Sequence, residues 1–210
     1  IQNRVAEAQR APKRPNEGAF SGPLTYAYHF DAAQLADVLS ARALALGVVH
    51  LRGTLTGVGL DTASGAIDHV VTAEHGTLTA DLYIDCSGFR AELIGAALQS
   101  PFKGVKDQLF TDRALACKLP YDRPDVPIES YTIAAAHEAG WIWDIGLAGA
   151  RGVGCVYSSD HLSNDRAAEI LAGYTGGRSH DITVRSIPFG AGDRPASWDK
   201  DCVAVGLSGG

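Results

Sequence analysis

The length, composition and charge of the chain indicate an ordinary globular protein. Its 210 residues, 46% of them hydrophobic and 20% charged, exclude a disordered, collagen-like or coiled-coil chain. No apolar run approaches the roughly 20 residues that a transmembrane helix needs, and a formal net charge of -6 argues against nucleic acid or an anionic membrane as the main partner.

The first 25 residues predict an irregular linker segment. A short helix at 5–10 is followed by several proline and glycine residues that interrupt regular structure. The aromatic stretch 26–31 then leads into the clearest helix of the sequence, with Asp31 as its N-cap and Gly47 at its C-terminal end.

A three-stranded antiparallel meander is predicted to follow this helix. Period-two patterns predict strands at 48–61, 66–73 and 77–86, joined by two tight turns. In the third strand, alternate apolar side chains are predicted to share the buried face: Leu78, Ala80, Leu82 and Ile84.

The turn that ends this third strand is the first candidate binding site. Ser87 and Gly88 have little bulk, and they lead into a predicted helix at 90–98, so a dinucleotide or phosphate could approach the backbone closely there. The simpler interpretation is a buried strand that ends in a tight turn. No GxGxxG motif occurs in the sequence, so the phosphate-binding loop of a Rossmann unit is not among these residues.

The second half of the sequence, 113–210, is richer in strands. Its one helix is predicted to begin at the N-cap Ser163, with residues 167–171 on its inner face. Three consecutive strands joined by tight turns predict an antiparallel sheet. The strands are predicted at 114–119, 131–137, 141–147, 152–158, 181–187 and 202–207. The fold class is therefore mixed α/β, with a mostly antiparallel sheet in this half.

Two tryptophans in the segment GWIWDIGL are the second candidate site. Trp141 and Trp143 are two residues apart, so on a strand both indoles project from one face, with Ile142 and Asp144 on the other. One interpretation is a buried aromatic pair in the core beneath a sheet. The alternative is a rigid aromatic wall that shapes a cavity and excludes another reactant.

The cysteines indicate reduced thiols in the core rather than disulfides or a metal site. All four lie far apart in apolar, strand-like stretches, without a CxxC motif or metal-ligand spacing: Cys86, Cys117, Cys155 and Cys202. We therefore expect no bound metal and a cytoplasmic protein. The lack of methionine and the end of the sequence directly after an apolar strand favour an internal fragment of a longer protein.

Four motifs together resemble the flavin-dependent tryptophan halogenases. They are YAYHFDAAQLADVL, ADLYIDCSGFRAELI, GWIWDIGL with RGVGCVYSS, and CVAVGLSGG, in the order and spacing of that family. Trp141, Trp143 and Ile145 match the family signature WxWxIP, while Gly146 stands where the family usually has proline. The resemblance implies a fold like that of FAD-dependent monooxygenases, incomplete here: a Rossmann-type FAD layer, of which 26–112 is a part, joined to the antiparallel sheet of 113–210.

The resemblance also implies a chemistry and its participants. Reduced FAD from a separate flavin reductase, oxygen, and chloride or bromide give hypohalous acid, which reaches a lysine beside an aromatic substrate. That substrate is tryptophan or another indole, or a phenol or pyrrole, and the enzyme is expected to be a homodimer. Trp141, Trp143 and Ile145 would form an active-site wall that keeps substrate from the flavin. Both indoles would then face the flavin, line one cavity and be largely buried. Ser87 and Gly88 would bind the cofactor.

The reactive groups themselves are expected outside these residues. The family lysine would precede residue 1 and the family glutamate would follow residue 210, so no catalytic residue is assigned here and the segment alone should be inactive. Two alternatives remain open: a flavin-dependent aromatic hydroxylase of the same fold, and a non-catalytic ligand-binding relative. The tryptophan pair favours the halogenase, because a hydroxylase needs its substrate at the flavin itself.

Overall fold

The computed structural model describes residues 1–210 as a mixture of helices and short strands. The three α-helices are α1 (Gln2–Glu7), α2 (Ala32–Ala45) and α3 (Asn164–Tyr174). The strands are β1 (Leu55–Leu60), β2 (Ile67–Thr72), β3 (Gly76–Leu78), β4 (Tyr83–Asp85), β5 (Lys103–Gly104), β6 (Arg113–Pro120), β7 (Ile133–His137), β8 (Gly140–Gly146), β9 (Ala150–Tyr157), β10 (Arg185–Pro188), β11 (Gly192–Asp193), β12 (Trp198–Asp199) and β13 (Cys202–Ala204). None of the helices is long and apolar enough to cross a membrane.

The chain divides into two compact units. The first contains residues 1–39 and 111–188, and the second contains residues 40–110 and 189–210. The division of the sequence into 1–25, 26–112 and 113–210 remains a prediction about domain organisation.

The first unit is built on a five-stranded antiparallel sheet. The strand order is β10-β6-β9-β8-β7, so the predicted hairpins of β7, β8 and β9 are confirmed and β8 lies between its two neighbours. One face of the sheet packs against α3, where Ala167 and Leu171 are fully buried among the core side chains. Ser163 caps α3 as predicted, because its hydroxyl accepts a hydrogen bond from the backbone N–H of Arg166 at 3.2 Å.

The predicted start and end of α2 are confirmed. The Asp31 carboxylate accepts a hydrogen bond from the backbone N–H of Ala33 at 3.1 Å, which satisfies a donor at the start of the helix. Gly47 follows the helix in a left-handed conformation with φ of 88°. The first helix, α1, begins and ends three residues earlier than the predicted 5–10.

The second unit contains three small sheets. An antiparallel sheet has the order β1-β2-β3, and a second sheet has the order β12-β13-β4, in which β13 and β4 run parallel. The third pairs β5 with β11. The hydrophobic core of the second unit consists of six buried side chains: Ile67, Tyr83, Ala91, Ile94, Cys202 and Ala204.

Three sequence predictions for this unit are wrong in detail. Residues 48–54 belong to no strand, so only Leu55–Leu60 of the predicted first strand forms. The predicted third strand breaks into β3 and β4, which pair in different sheets. The break reverses the buried face, because pairing with β13 turns Tyr83 and Asp85 inward and leaves Leu82 and Ile84 exposed.

The predicted helix at 90–98 is replaced by two short helical turns. A 3-10 turn spans Gly88–Arg90, and a π-helical turn spans Glu92–Ala97. Ala91 lies between them with φ of 43°, a left-handed conformation that prevents one continuous helix.

Candidate functional site

The two tryptophans lie on the sheet face opposite the α3 core. Along β8, Ile142 and Asp144 are buried at 3% exposure each, while Trp141 and Trp143 project from the other face as predicted. Their ring centroids are 6.2 Å apart at an interplanar angle of 58°. The expectation that both rings are largely buried is wrong for Trp141, which is 41% exposed because this face lies away from the core.

Glycines on the neighbouring strand make room for this face. Trp143 pairs in register with Gly154 of β9, and a Cβ at that position would lie 2.0 Å from a carbon of the indole ring. The ring therefore covers the bare backbone of Gly154, as aromatic side chains do beside strand glycines. Ile145 is the register partner of Gly152 on the same strand, so Trp141, Trp143 and Ile145 follow one another along one face of the sheet.

A buried ion pair fixes the opposite face of the same strand. Arg151 contacts both carboxylate oxygens of Asp144, its Nε at 3.0 Å and its Nη2 at 2.5 Å, and the hydroxyl of Tyr174 donates to that carboxylate at 3.0 Å. Burial, together with the Asp144 carboxylate, raises the pKa of Tyr174 to about 12. Sequence reasoning placed Asp144 on this face but missed its two partners.

A cavity of about 350 Å³ opens beside this ion pair. Its walls include Asp144, Arg151, Tyr174 and Gly146. At Gly146 a Cβ would lie 2.7 Å from Cγ2 of Ile128, so no side chain fits there while Ile128 holds this position. The glycine at the place of the family proline therefore has a local packing reason.

The second unit brings two turns of small residues to one edge of a sheet. Because β4 and β13 are parallel, the chain leaves both strands at the same edge, the usual place for ligands in parallel sheets. Ser87 and Gly88 follow β4, and Gly206–Ser208 follow β13. Gly88 and Gly206 have φ values of 72° and 67°, which favour glycine, and the space where a Cβ would lie is open at both.

The carboxylate of Asp85, which is 1% exposed, organises the first of these turns. One oxygen accepts from the Ser87 hydroxyl at 2.6 Å and the Ser87 N–H at 2.9 Å. The other accepts from the N–H groups of Leu93 and Ile94, both at 2.9 Å. Burial alone would raise the pKa of Asp85, but these hydrogen bonds outweigh burial and hold the pKa below its ordinary value.

The two turns are also linked to each other. The Ser208 hydroxyl lies 3.2 Å from the Asp85 carboxylate and 3.2 Å from the carbonyl oxygen of Gly88. Arg194 holds the second turn from outside, because its Nε donates to the Ser208 carbonyl at 2.9 Å. Sequence reasoning identified Ser87 and Gly88 but not Gly206–Ser208, although the small residues of GLSGG directly after a strand resemble the first turn.

The cysteines and other metal-ligand types form no further site. All four thiols are unpaired, as the sequence predicted. The prediction that they all lie in the core is correct for Cys117, Cys155 and Cys202 but wrong for Cys86, which is exposed in the segment that follows β4. No group of three or more His, Cys, Asp and Glu side chains is arranged to hold a metal ion.

Comparison with known sequences identifies a family. The tryptophan halogenase family matches the chain over residues 1–210. The 7-chloro-L-tryptophan 6-halogenase KtzR from Kutzneria sp. (strain 744) is 44% identical over 185 residues, which are 88% of this chain and 36% of KtzR. The chain therefore spans little more than a third of that relative's length.

Solved structures agree with the sequence comparison. The tryptophan 6-halogenase SttH from Streptomyces toxytricini matches 98% of this chain with a TM-score of 0.90 and 41% identity, and the match covers 41% of SttH. A flavin-dependent halogenase from Xanthomonas campestris matches 99% of this chain with a TM-score of 0.88 and 35% identity, and the match covers 40% of that protein. The mixed α/β fold and the resemblance carried by the four motifs are thereby confirmed, and the chain belongs to the tryptophan halogenase family.

Proposed function

We propose that the whole protein is a flavin-dependent halogenase that attaches chlorine or bromine to tryptophan or another electron-rich aromatic. Membership of the family, whose members KtzR and SttH are named as tryptophan halogenases, supports an indole substrate. The observation that carries the proposal is the indole pair of Trp141 and Trp143, held outside the core over Gly154.

The tryptophan pair is suited to act as a barrier. A large aromatic surface outside the hydrophobic core exposes apolar area, which proteins usually keep small unless it serves binding. In our proposal Trp141, Trp143 and Ile145 form a wall that keeps the aromatic substrate away from the flavin. Exclusion of this kind favours halogenation over direct hydroxylation. The indoles carry no group that titrates near neutral pH, so they transfer no proton.

The two turns of the second unit fit a dinucleotide cofactor. Ser87, Gly88 and Gly206 would hold FAD, because small residues and open space beside two left-handed glycines permit close backbone approach. The chemistry that bound, reduced FAD would supply is the oxidation of halide by molecular oxygen. We propose a separate flavin reductase as the partner that delivers reduced FAD.

The residues of this chain act by binding and exclusion in this proposal. No catalytic residue is assigned among residues 1–210, and the reactive lysine and glutamate of the family are expected elsewhere in the protein. The four free thiols favour a cytoplasmic compartment for the enzyme. We also propose that the enzyme is a homodimer.

A product analysis of the whole protein tests this function. The protein is incubated with FAD, a flavin reductase, NADH, tryptophan or indole, and either chloride or bromide, and products are identified by mass. We expect a halogenated product whose mass follows the halide supplied and which disappears when halide is omitted. A hydroxylated product would favour the hydroxylase, and substrate binding without any product would favour a non-catalytic relative.

A further inference from the structure

The Asp85 carboxylate is a junction between the two turns proposed to bind FAD. Five donors surround it: three backbone N–H groups, from Ser87, Leu93 and Ile94, and the hydroxyls of Ser87 and Ser208. The side chain is buried, so these groups have no water to replace it. Only an ionised carboxylate offers acceptors on both oxygens for so many donors.

The amide of an asparagine at position 85 could not satisfy all of these donors in either of its two orientations. If Asn replaced Asp85 with its NH₂ toward Leu93 and Ile94, two N–H groups would face a donor. If the NH₂ pointed the other way, it would face the N–H of Ser87. Either orientation leaves at least one buried N–H without an acceptor.

The same carboxylate also reaches the second turn. Ser208 is 1% exposed, and its hydroxyl contacts both Asp85 and the carbonyl oxygen of Gly88. The backbone of Asp85 adds a further link, because its carbonyl accepts from the N–H of Val205 at 3.0 Å. One residue therefore contacts both segments that leave the parallel strands.

We infer that Asp85 is a positioning residue for the cofactor, one that holds the Ser87–Gly88 turn and the Gly206–Ser208 turn in a single fixed arrangement before FAD binds. The inference rests on the proposed function for its ligand, and it adds a residue that touches the turns rather than the cofactor. Preorganisation of this kind increases affinity because the turns lose no further freedom when the ligand binds.

The test compares Asp85→Asn with a matched variant of the whole protein. Asp201→Asn is the control, because Asp201 also accepts from a backbone N–H, that of Ile67 at 3.0 Å, but at the opposite end of β13. Hydrogen exchange is measured on flavin-free protein, and FAD affinity is measured by fluorescence well below the unfolding temperature.

We expect Asp85→Asn to speed exchange at 86–94 and 205–209 and to weaken FAD binding by about 10- to 100-fold. Asp201→Asn should change neither measurement. Unchanged exchange at both turns, or unchanged FAD affinity, in folded Asp85→Asn would overturn the inference. Wild-type protein that binds no FAD would instead overturn the proposed function, and the inference with it, before any variant is compared.

A milder variant covers the case in which Asp85→Asn does not fold. Ser208→Ala removes only the hydroxyl that joins Asp85 to the second turn. We expect faster exchange at 205–209, retained protection of Leu93 and Ile94, and FAD binding weakened by about 3- to 10-fold. FAD affinity equal to wild type would overturn the link between the turns.

Discussion

The indole of Trp143 lies directly over the backbone of Gly154, its register partner on the neighbouring strand. A Cβ at position 154 would come within 2.0 to 2.5 Å of three indole atoms, so the ring and a side chain cannot occupy this space together. Gly152, on the same strand and the same face, has no atom within 4 Å of the place where its Cβ would lie. A side chain added at Gly154 would therefore displace the Trp143 ring, whereas a side chain added at Gly152 would not.

Gly154→Ala is expected to displace the Trp143 ring and to lower the free energy of unfolding by about 1–3 kcal/mol, the usual cost of overpacking. Gly152→Ala should be neutral or slightly stabilising, since alanine loses less conformational freedom on folding. Urea denaturation and near-ultraviolet circular dichroism of both variants measure these effects. Equal stability and equal spectra in the two variants would show that Gly154 makes no room for the ring.

The ion pair of Asp144 and Arg151 should matter far more than an exposed one. Asp144→Ala leaves the partly buried guanidinium of Arg151 without its partner, so we expect a loss of about 3 kcal/mol in unfolding free energy. Glu138→Ala breaks an exposed pair with Arg166 and should cost about 0–1 kcal/mol. Similar losses in both variants would contradict the buried role assigned to Asp144.

Acid should remove the stabilising effect of Asp85. Its pKa is lowered in the folded protein, so its contribution is complete above the unfolded pKa of about 3.9 and is lost as pH falls through the folded value. The difference in unfolding free energy between wild type and Asp85→Asn should therefore be largest near pH 7 and shrink below about pH 4. Other carboxylates are common to both proteins and cancel. A difference that is constant from pH 7 to pH 3 would contradict an ionised Asp85.

The thiols should divide into one reactive and three protected groups. Cys86 is exposed, whereas burial raises the pKa of Cys155 and of Cys202 to about 11 each and also raises the pKa of Cys117. Among these four cysteines, an aromatic disulfide reagent at pH 8 should modify only Cys86 in the native protein and all four after denaturation. Rapid reaction of Cys117, Cys155 or Cys202 in the native protein would show that the buried positions are open.

The elements that local signals define were predictable from the sequence. The Asp31 and Ser163 caps place α2 and α3, and tight turns place the β7–β9 hairpins. The common face of Trp141 and Trp143 follows from the period of a strand alone. These features depend on residues that are close together in the sequence, so local sequence patterns are enough to predict them.

The features that the sequence did not predict depend on contacts between residues that are far apart in the chain. β4 reverses its buried face because its partner is β13, at the other end of the sequence, and no local pattern reveals a parallel pairing. The same pairing brings Ser208 to Asp85 and so completes the candidate cofactor site. The exposure of Trp141 was missed because alternation gives the shared face but not which face the core covers.

The most direct test of the halogenase account is the coupling of Trp143→Ala in the whole enzyme. Hydrogen peroxide released and halogenated product formed are both measured per reduced flavin, with Trp198→Ala, an exposed tryptophan of the second unit, as control. Removal of the Trp143 ring opens the wall, so we expect Trp143→Ala to release more peroxide and form less product while remaining folded, and Trp198→Ala to match wild type. Folded Trp143→Ala with wild-type coupling would contradict the role of the tryptophan pair as a barrier.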